Sequence, residues 1–151
     1  MKNIQLVPIA LSGHPERANL ELPDEAKAIC SQLPSYYDRM DYFPPWIWYL
    51  AVEESTVLGT CAFKTPPRDN KVEIAYYTFG KNVGQGVATL MVTKLIEIAQ
   101  KKKPGIIVYA QTLPKENAST KVLTKLNFTH IGMVKHPTDG DVWEWHLLPI
   151  A

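Results

Sequence analysis

The sequence has few cysteines and no paired metal-binding motif. Cys30 and Cys61 are its only two cysteines, and they lie far apart, without the close spacing that zinc and redox motifs need. The four histidines lack the paired helical spacing of a zinc site. We therefore expect two buried free thiols, no metal and a reducing compartment.

An excess of charge of one sign is also absent. Lys and Arg number 16 and Asp and Glu number 15, which leaves a formal net charge of +1. Nucleic-acid-binding domains carry a clustered basic surface, so we expect no nucleic-acid partner. The one dense basic cluster, at residues 101–103, ends a predicted helix, where cations complement the helix dipole; an anion site is the alternative.

Long apolar runs are missing as well. No stretch approaches the length of a membrane span, and the segment MKNIQLVPIALSG has neither the cationic region nor the cleavage site of a secretory signal. These features predict a cytoplasmic protein without a membrane partner. The 151 residues, 46% of them hydrophobic, are enough for one core, and they predict a single domain over residues 1–151.

The first half of the chain combines a helix with extended runs. Residues 3–9 read as an edge strand, residues 22–32 as a helix, and the Tyr- and Pro-rich segment 34–46 as a shaped loop. Three extended runs follow between residues 46 and 79, and their short connections predict an antiparallel meander.

The second half predicts a parallel strand–helix–strand unit. Apolar residues recur at helical spacing over residues 84–102, and GIIVYAQ at 105–111 is a continuous apolar run, as in a strand that is buried on both faces. A shorter helix follows in ENASTKVLTKLNF, with Asn117 as its cap and Asn127 as its stop. An Asp-Gly pair then predicts a hairpin between the last two strands.

The most informative segment is KNVGQG at residues 81–86, between a predicted strand and the longest predicted helix. Glycines that open a helix expose backbone N–H donors at the positive end of its dipole, which suits a phosphate or pyrophosphate; a simple tight turn is the alternative. A P-loop would need Lys and Ser or Thr after its last glycine, and Val87 and Ala88 stand there instead. A dinucleotide-binding turn would need an acidic residue about 20 residues further on, and none is found there.

KNVGQG resembles the Gln/Arg-x-x-Gly-x-Gly/Ala pyrophosphate loop of the GNAT acetyltransferase superfamily. VEIAYYTF resembles the family's fourth strand, GVATLMVTKLIEIA its long third helix, and TLPKENASTKVLTKLNF a segment of the subgroup that includes ribosomal-protein N-terminal acetyltransferases. The likeness runs from about residue 57 to 134. Lys81 stands where the family usually has Gln or Arg, and Asn127 stands where Gly is common.

The resemblance implies an α/β (α+β) fold: a mixed, mostly antiparallel sheet of six to seven strands, whose parallel central strands splay apart, with helices on both faces. It also implies that acetyl-CoA is the acyl donor. Its pantetheine arm is expected along the strand before the loop, and its pyrophosphate at the amides of the glycine turn. The residues expected to bind acetyl-CoA are Tyr77, Thr78, Phe79, Lys81, Val83, Gly84, Gln85, Gly86, Val87, Ala88, Thr89 and Asn117.

The implied reaction is direct attack of an amine on the thioester, for which positioning supplies much of the rate. The amine must lose a proton, and Glu73 is the candidate base, acting through water; a solvated residue paired with a lysine is the alternative. Many family members have a tyrosine where Leu123 stands here, so Ser119 is the candidate acid, with Tyr109 or water in reserve. The alternative for Ser119 is local capping of the helix.

The resemblance therefore predicts an N-acetyltransferase that acts on a primary amine, either a protein N-terminus or a small molecule. A non-catalytic acyl-CoA sensor with the same fold is one alternative, and a nucleotide-binding module is another. The carboxylates and rings of the predicted loop with Tyr36, Tyr37, Asp38, Asp41 and Tyr42 could receive a cationic amine; a plain surface loop is the alternative. Exposed terminal strands could also pair two chains into a homodimer.

Overall fold

The computed structural model describes residues 3–149 and, at Lys81, the backbone alone. In this part of the chain a mixed sheet of seven strands, in the order β1-β2-β3-β4-β5-β7-β6, is flanked by three α-helices. The strands are β1 (Gln5–Pro8), β2 (Trp48–Glu53), β3 (Thr56–Phe63), β4 (Lys71–Thr78), β5 (Ile107–Thr112), β6 (Thr129–His136) and β7 (Gly140–Leu147). The helices are α1 (Asp24–Met40), α2 (Val87–Lys102) and α3 (Ala118–Lys125).

Strands β1 to β4 form the predicted antiparallel meander. Each pairs with the next in antiparallel register, with Thr60 opposite Leu50 on one side and Tyr77 on the other. β1 is short, carries Pro8 and lies at one edge, as the sequence predicts, because proline cannot donate to a further strand. The other edge is β6, and a homodimer through either edge stays a prediction.

The two central strands separate after a short parallel contact. β4 and β5 pair in parallel only where Lys71, Val72 and Glu73 face Ile107, Val108 and Tyr109. Beyond that point β4 stays paired with β3 and β5 stays paired with β7, each on its outer edge. The predicted splaying of two parallel central strands is therefore confirmed, and it opens a gap in the middle of the sheet.

The helices cover opposite faces of the meander. On one face, Gly59 has no side chain and so lets Met91 of α2 approach the sheet. On the other face, the Tyr77 hydroxyl donates a hydrogen bond of 2.9 Å to the Glu25 carboxylate of α1. Gly59 pairs with the β4 residue next to Tyr77, and neighbouring residues of a strand point to opposite faces of the sheet. Gly59 and Tyr77 therefore face opposite sides, and so do α2 and α1. Within residues 3–149, none of the helices is long and apolar enough to cross a lipid bilayer.

The prediction of a loop over residues 34–46 is wrong in its first half, because α1 continues through Pro34 to Met40. A proline within a helix leaves the carbonyl four residues earlier without its helical N–H partner. Gly13, at φ +85°, comes so close to that Cys30 carbonyl that a Cβ on Gly13 would lie 2.5 Å from its oxygen. The buried Tyr37 then anchors the second half of α1, since its hydroxyl donates to the Ile9 carbonyl over 2.9 Å.

The prediction that the strand at 105–111 is buried on both faces is also wrong. Val108, Ala110 and Thr112 are buried, whereas Tyr109 and Gln111 on the other face are only half-buried. Among the strands, α1 packs most extensively against β3. The termini of α3 agree with the sequence, because Asn117 caps the helix and Asn127 follows it at φ +69°.

Candidate functional site

The loop between β4 and α2 presents backbone amides at the start of α2. A single 3₁₀ turn over Gly80–Asn82 leads into Gly84 and Gly86, whose φ angles of +85° and +79° lie in the left-handed region that glycine adopts without strain. Gly86 is the cap of α2 and makes no side-chain cap bond. The first N–H groups of a helix have no partner within it, so those that follow Gly86 are oriented for an external acceptor.

A cavity of about 360 Å³ lies against this helix start, between the end of β4 and α3. We call it the loop cavity. Its lining residues are Tyr76, Tyr77, Thr78, Val83, Gly84, Gly86, Val87, Ala88, Thr89, Ala118, Ser119 and Val122.

A second cavity, of about 240 Å³, lies where β4 and β5 separate. We call it the gap cavity. Its lining residues are Lys64, Glu73, Ile74, Ala75, Tyr76, Gln111, Thr112, Leu113, Asn117 and Ser119. Tyr76 and Ser119 line both cavities, so the two cavities meet at this pair.

Tyr76 lies between the two cavities. Its hydroxyl donates a hydrogen bond of 3.1 Å to the backbone oxygen of Ser119. Burial raises the pKa of Tyr76 far above its ordinary value, so the phenol stays protonated at neutral pH. The Ser119 atom that accepts this bond belongs to the backbone and not to the hydroxyl.

Ser119 is free of the capping role that was its alternative interpretation. The capping box of α3 joins Asn117 and Thr120: the Asn117 side chain accepts from the Thr120 amide over 3.0 Å, and the Thr120 hydroxyl accepts from the Asn117 amide over 2.9 Å. The Asn117 side-chain oxygen is therefore engaged within the helix, while Asn117 lines the gap cavity rather than the loop cavity.

Glu73 lies on the wall of the gap cavity and is paired. Its carboxylate oxygen is 3.1 Å from the Lys64 amine, and the two side chains are 16% and 35% exposed. Tyr109 stands opposite Glu73 on β5. Burial, reinforced by the charges of Glu73 and Glu144, raises the pKa of Tyr109, which makes it a weaker proton donor than an ordinary tyrosine.

Next to the gap cavity, sequence reasoning missed a polar chain of three residues. Gln111 donates from its side-chain amide to Glu144 over 3.0 Å, and the second oxygen of Glu144 lies 2.7 Å from His146. Burial by itself raises the pKa of the Glu144 carboxyl, but hydrogen bonds from Gln111 and His146 and nearby positive charge outweigh it, so the pKa lies below its ordinary value. The carboxylate is therefore ionised at neutral pH.

Nine of the predicted site residues come together at the loop cavity. They are Tyr77, Thr78, Val83, Gly84, Gly86, Val87, Ala88, Thr89 and Ser119. Gln85 is exposed on the same loop and is not part of the lining. The side chain of Lys81 lies outside the part of the chain that the structure describes.

Phe79 differs from its neighbours on β4. Its side chain is buried, its N–H donates to the Leu58 carbonyl over 3.0 Å, and its carbonyl accepts from Asn82 over 2.8 Å. Both backbone groups are thus used to hold the turn. Among residues 3–149, no three His, Cys, Asp or Glu side chains gather as metal ligands.

The family follows from a match to the sequence profile of the acetyltransferase (GNAT) domain, which covers residues 13–129. Because this match spans more than half of the chain, the protein belongs to the GNAT acetyltransferase family. The resemblance seen in KNVGQG and the segments around it is confirmed. Among curated proteins, the chain has no significant match.

Solved structures similar to the chain share its fold. The apo form of RimL, a ribosomal L7/L12 α-N-protein acetyltransferase, is 16% identical and matches 100% of this chain and 96% of its own, with a TM-score of 0.72. The yncA protein of Salmonella typhimurium, solved with its cofactor acetyl-CoA, is 15% identical over 99% of this chain and 96% of its own, with a TM-score of 0.65. An N-acetyltransferase from Staphylococcus aureus Mu50 is 24% identical over 67% of this chain and 66% of its own, with a TM-score of 0.58.

Proposed function

We propose that the protein is an N-acetyltransferase that transfers an acetyl group from acetyl-CoA to a primary amine by direct attack. The observation that carries this proposal is the meeting of two cavities at Tyr76 and Ser119. One cavity offers helix-start amides, which suit a pyrophosphate, and the other offers a carboxylate, which suits an amine. A donor and an acceptor could therefore approach each other through the gap.

The donor is assigned to the loop cavity. The amides from Val83 to Ala88 would hold the pyrophosphate, and Lys81 and Gln85 belong to the same loop. The pantetheine arm would lie along the backbone of Tyr77 and Thr78, where β4 has lost its pairing with β5. Phe79 supports this assignment indirectly, because its own backbone groups hold the turn.

The acceptor is assigned to the gap cavity. Glu73 would take a proton from the incoming ammonium through water, since a protonated amine has no lone pair for attack. The Ser119 hydroxyl would pass its proton to the departing thiolate of coenzyme A and take up the second proton that the nitrogen loses as the amide forms. Holding amine and thioester together at this junction supplies most of the rate. The acceptor is a primary amine of a small molecule or of a protein N-terminus.

The test has two stages. Calorimetry with coenzyme A and acetyl-CoA should show saturable binding, and a complete lack of binding at millimolar ligand would rule out the proposal. Release of free thiol from acetyl-CoA should then be followed with amino acids, polyamines, aminoglycosides and short peptides. Steady release with at least one amine is the expected result.

A non-catalytic acyl-CoA sensor is the second candidate function. It is favoured by Leu123, which is fully buried where many family members carry a tyrosine. Binding of acetyl-CoA without turnover of any amine would support the sensor over the enzyme. Tighter binding of ADP than of coenzyme A would instead favour a nucleotide-binding module.

A further inference from the structure

Gln111 stands between the gap cavity and the partly buried, hydrogen-bonded pair Glu144–His146. It lies on β5 directly opposite Glu144 of β7, and it lines the gap cavity together with Glu73 and Lys64. Glu144 and His146 are not part of that lining, and their side chains are only 16% and 13% exposed. Of the three linked residues, Gln111 is therefore the one that reaches the cavity.

Glu144 determines the orientation of the Gln111 side-chain amide. An ionised carboxylate only accepts hydrogen bonds, whereas a carboxamide carries both an NH₂ donor and an oxygen acceptor. The Gln111 atom that faces Glu144 over 3.0 Å must therefore be the nitrogen. The amide oxygen is not used in this bond, so it is the acceptor that Gln111 can offer to the cavity.

His146 fixes the carboxylate in its turn. Its Nε2 atom lies 2.7 Å from Glu144, on the oxygen that Gln111 does not use. With both oxygens engaged, Glu144 cannot rotate without breaking a hydrogen bond that is partly shielded from water, which makes the arrangement stiff. The chain from His146 to Gln111 thus presents an oriented oxygen to the cavity.

The position of Gln111 matches the place of an attacking amine. β5 runs parallel to β4, and Tyr109 lies opposite Glu73. Gln111 follows Tyr109 by two residues on β5, as Ala75 follows Glu73 by two residues on β4. Ala75 and Ser119 both line the same cavity, and the small Ala75 side chain leaves room there. A bound amine would then have the Glu73 carboxylate on one side and the Gln111 oxygen on the other.

We propose that the Gln111 amide oxygen binds an N–H of the acceptor amine, and that Glu144, held by His146, is the positioning residue for that amide. The inference rests on the proposed function and refines it. Two oxygen acceptors around one nitrogen favour an amine that carries at least two N–H bonds. A primary amine meets this condition, whereas a quaternary ammonium group, which has no N–H, does not.

Kinetics of variants give the first test. With whichever amine gives turnover in the panel, Gln111→Leu should raise the acceptor KM about ten- to a hundredfold, which is the effect of one lost hydrogen bond to a charged group. The Kd for acetyl-CoA should not change. Gln32→Leu, on the exposed surface of α1, is the matched control and should leave both values as they are. An unchanged acceptor KM in folded Gln111→Leu would overturn the proposal.

A double-variant cycle tests the role of Glu144. If Glu144 acts only through Gln111, adding Glu144→Ala to Gln111→Leu should raise the acceptor KM no further, whereas Glu144→Ala alone should raise it several-fold. Additive effects would contradict a positioning role. Thermal unfolding of each variant identifies any that do not fold. Should Glu144→Ala not fold, Glu144→Gln replaces it, because a carboxamide lets Gln111 adopt either orientation.

Side-chain NMR separates this inference from the proposed function, because it needs no turnover. The NH₂ signals of Gln111 are those that vanish in Gln111→Leu. Butylamine should shift them in the coenzyme A complex, or in the free protein if coenzyme A does not bind, whereas butyltrimethylammonium should not. The inference is wrong if butylamine and butyltrimethylammonium both shift the signals, or if neither does. If acetyl-CoA does not bind, but butylamine shifts the signals and butyltrimethylammonium does not, then only the proposed function is wrong.

Discussion

The Tyr76 hydroxyl donates a hydrogen bond of 3.1 Å to the backbone oxygen of Ser119, and this bond joins β4 to the first turn of α3. Both residues line the gap cavity, which lies where the pairing of β4 with β5 ends. The pair lines both the loop cavity and the gap cavity. The proposed transfer would take place beside it.

We predict that Ser119→Ala lowers kcat by about a hundredfold, the usual effect of losing a general acid. Its stability should change by less than about 0.5 kcal/mol, because the hydroxyl takes no part in the capping box. Both quantities are measured on the same preparation, by thiol release and by urea denaturation. An unchanged kcat would leave the leaving-group proton to water.

Thr120→Ala is the structural comparison for Ser119→Ala, because Thr120 belongs to the capping box of α3 and lines neither cavity. It should destabilise the protein by about 1 kcal/mol. If the loss of rate in Ser119→Ala came from a loosened helix, the less stable Thr120→Ala would share it in proportion to its loss of stability. A rate loss confined to Ser119→Ala would support chemistry at the hydroxyl.

We predict that Gly86→Ala weakens acetyl-CoA binding about tenfold. A Cβ at this position meets no heavy atom within 4 Å, so the change acts through the backbone alone. Left-handed geometry costs an alanine roughly 1–2 kcal/mol, and relief of that strain would turn the amides away from the pyrophosphate. Calorimetry with acetyl-CoA measures the change in Kd.

Gly105→Ala is a matched control for that experiment. Gly105 has φ +89° and open space around an added Cβ, but it lies in the turn before β5 and lines neither cavity. It should therefore lose a similar amount of stability and keep its affinity for acetyl-CoA. Equal losses of affinity in the two variants would show that general destabilisation, and not the loop geometry, weakens binding.

Much of the fold was predictable because its signals are local. The helix stop at Asn127 follows from the tolerance of asparagine for positive φ, and the cap at Asn117 from its side-chain acceptor. The length of α1 was not predictable, because proline usually ends a helix and Pro34 lies inside this one. The part of α1 after Pro34 is anchored by the hydrogen bond from Tyr37 to Ile9, which lies 28 residues away in the chain.

The gap cavity was much harder to predict than the loop cavity. The glycine turn and the strand before it are contiguous, so one motif indicates most of the loop cavity. Gln111 and Glu144 face each other only because β7 is inserted between β5 and β6, and their separation of 33 residues leaves no periodic signal. The available clue to the position of Gln111 was that Tyr109 and Gln111 alternate with apolar residues along β5 and so share one face.

We predict that Glu73→Gln lowers kcat by about a hundredfold or more, because the amide cannot accept the proton of the amine. The Glu73–Lys64 pair is partly exposed, so its loss should cost less than about 1 kcal/mol of stability. Glu97→Gln, on the exposed face of α2, is the control for a carboxylate outside the site and should keep the rate. Full activity in Glu73→Gln would assign Glu73 to the ion pair alone.

We predict that Glu144 stabilises the protein at neutral pH and loses this effect in acid. Its native pKa lies below the ordinary value of 4.5, so the unfolded chain binds the proton more readily than the native protein. The contribution is therefore complete above the unfolded pKa and disappears as the pH falls through the native one. Urea denaturation should place Glu144→Gln about 1–3 kcal/mol below the wild type near pH 7, the usual effect of breaking hydrogen bonds to a charged group, and the difference should shrink at low pH. Exposed Glu116→Gln should show almost no difference at either pH, and a difference for Glu144→Gln that does not depend on pH would show that its hydrogen bonds do not need the charge.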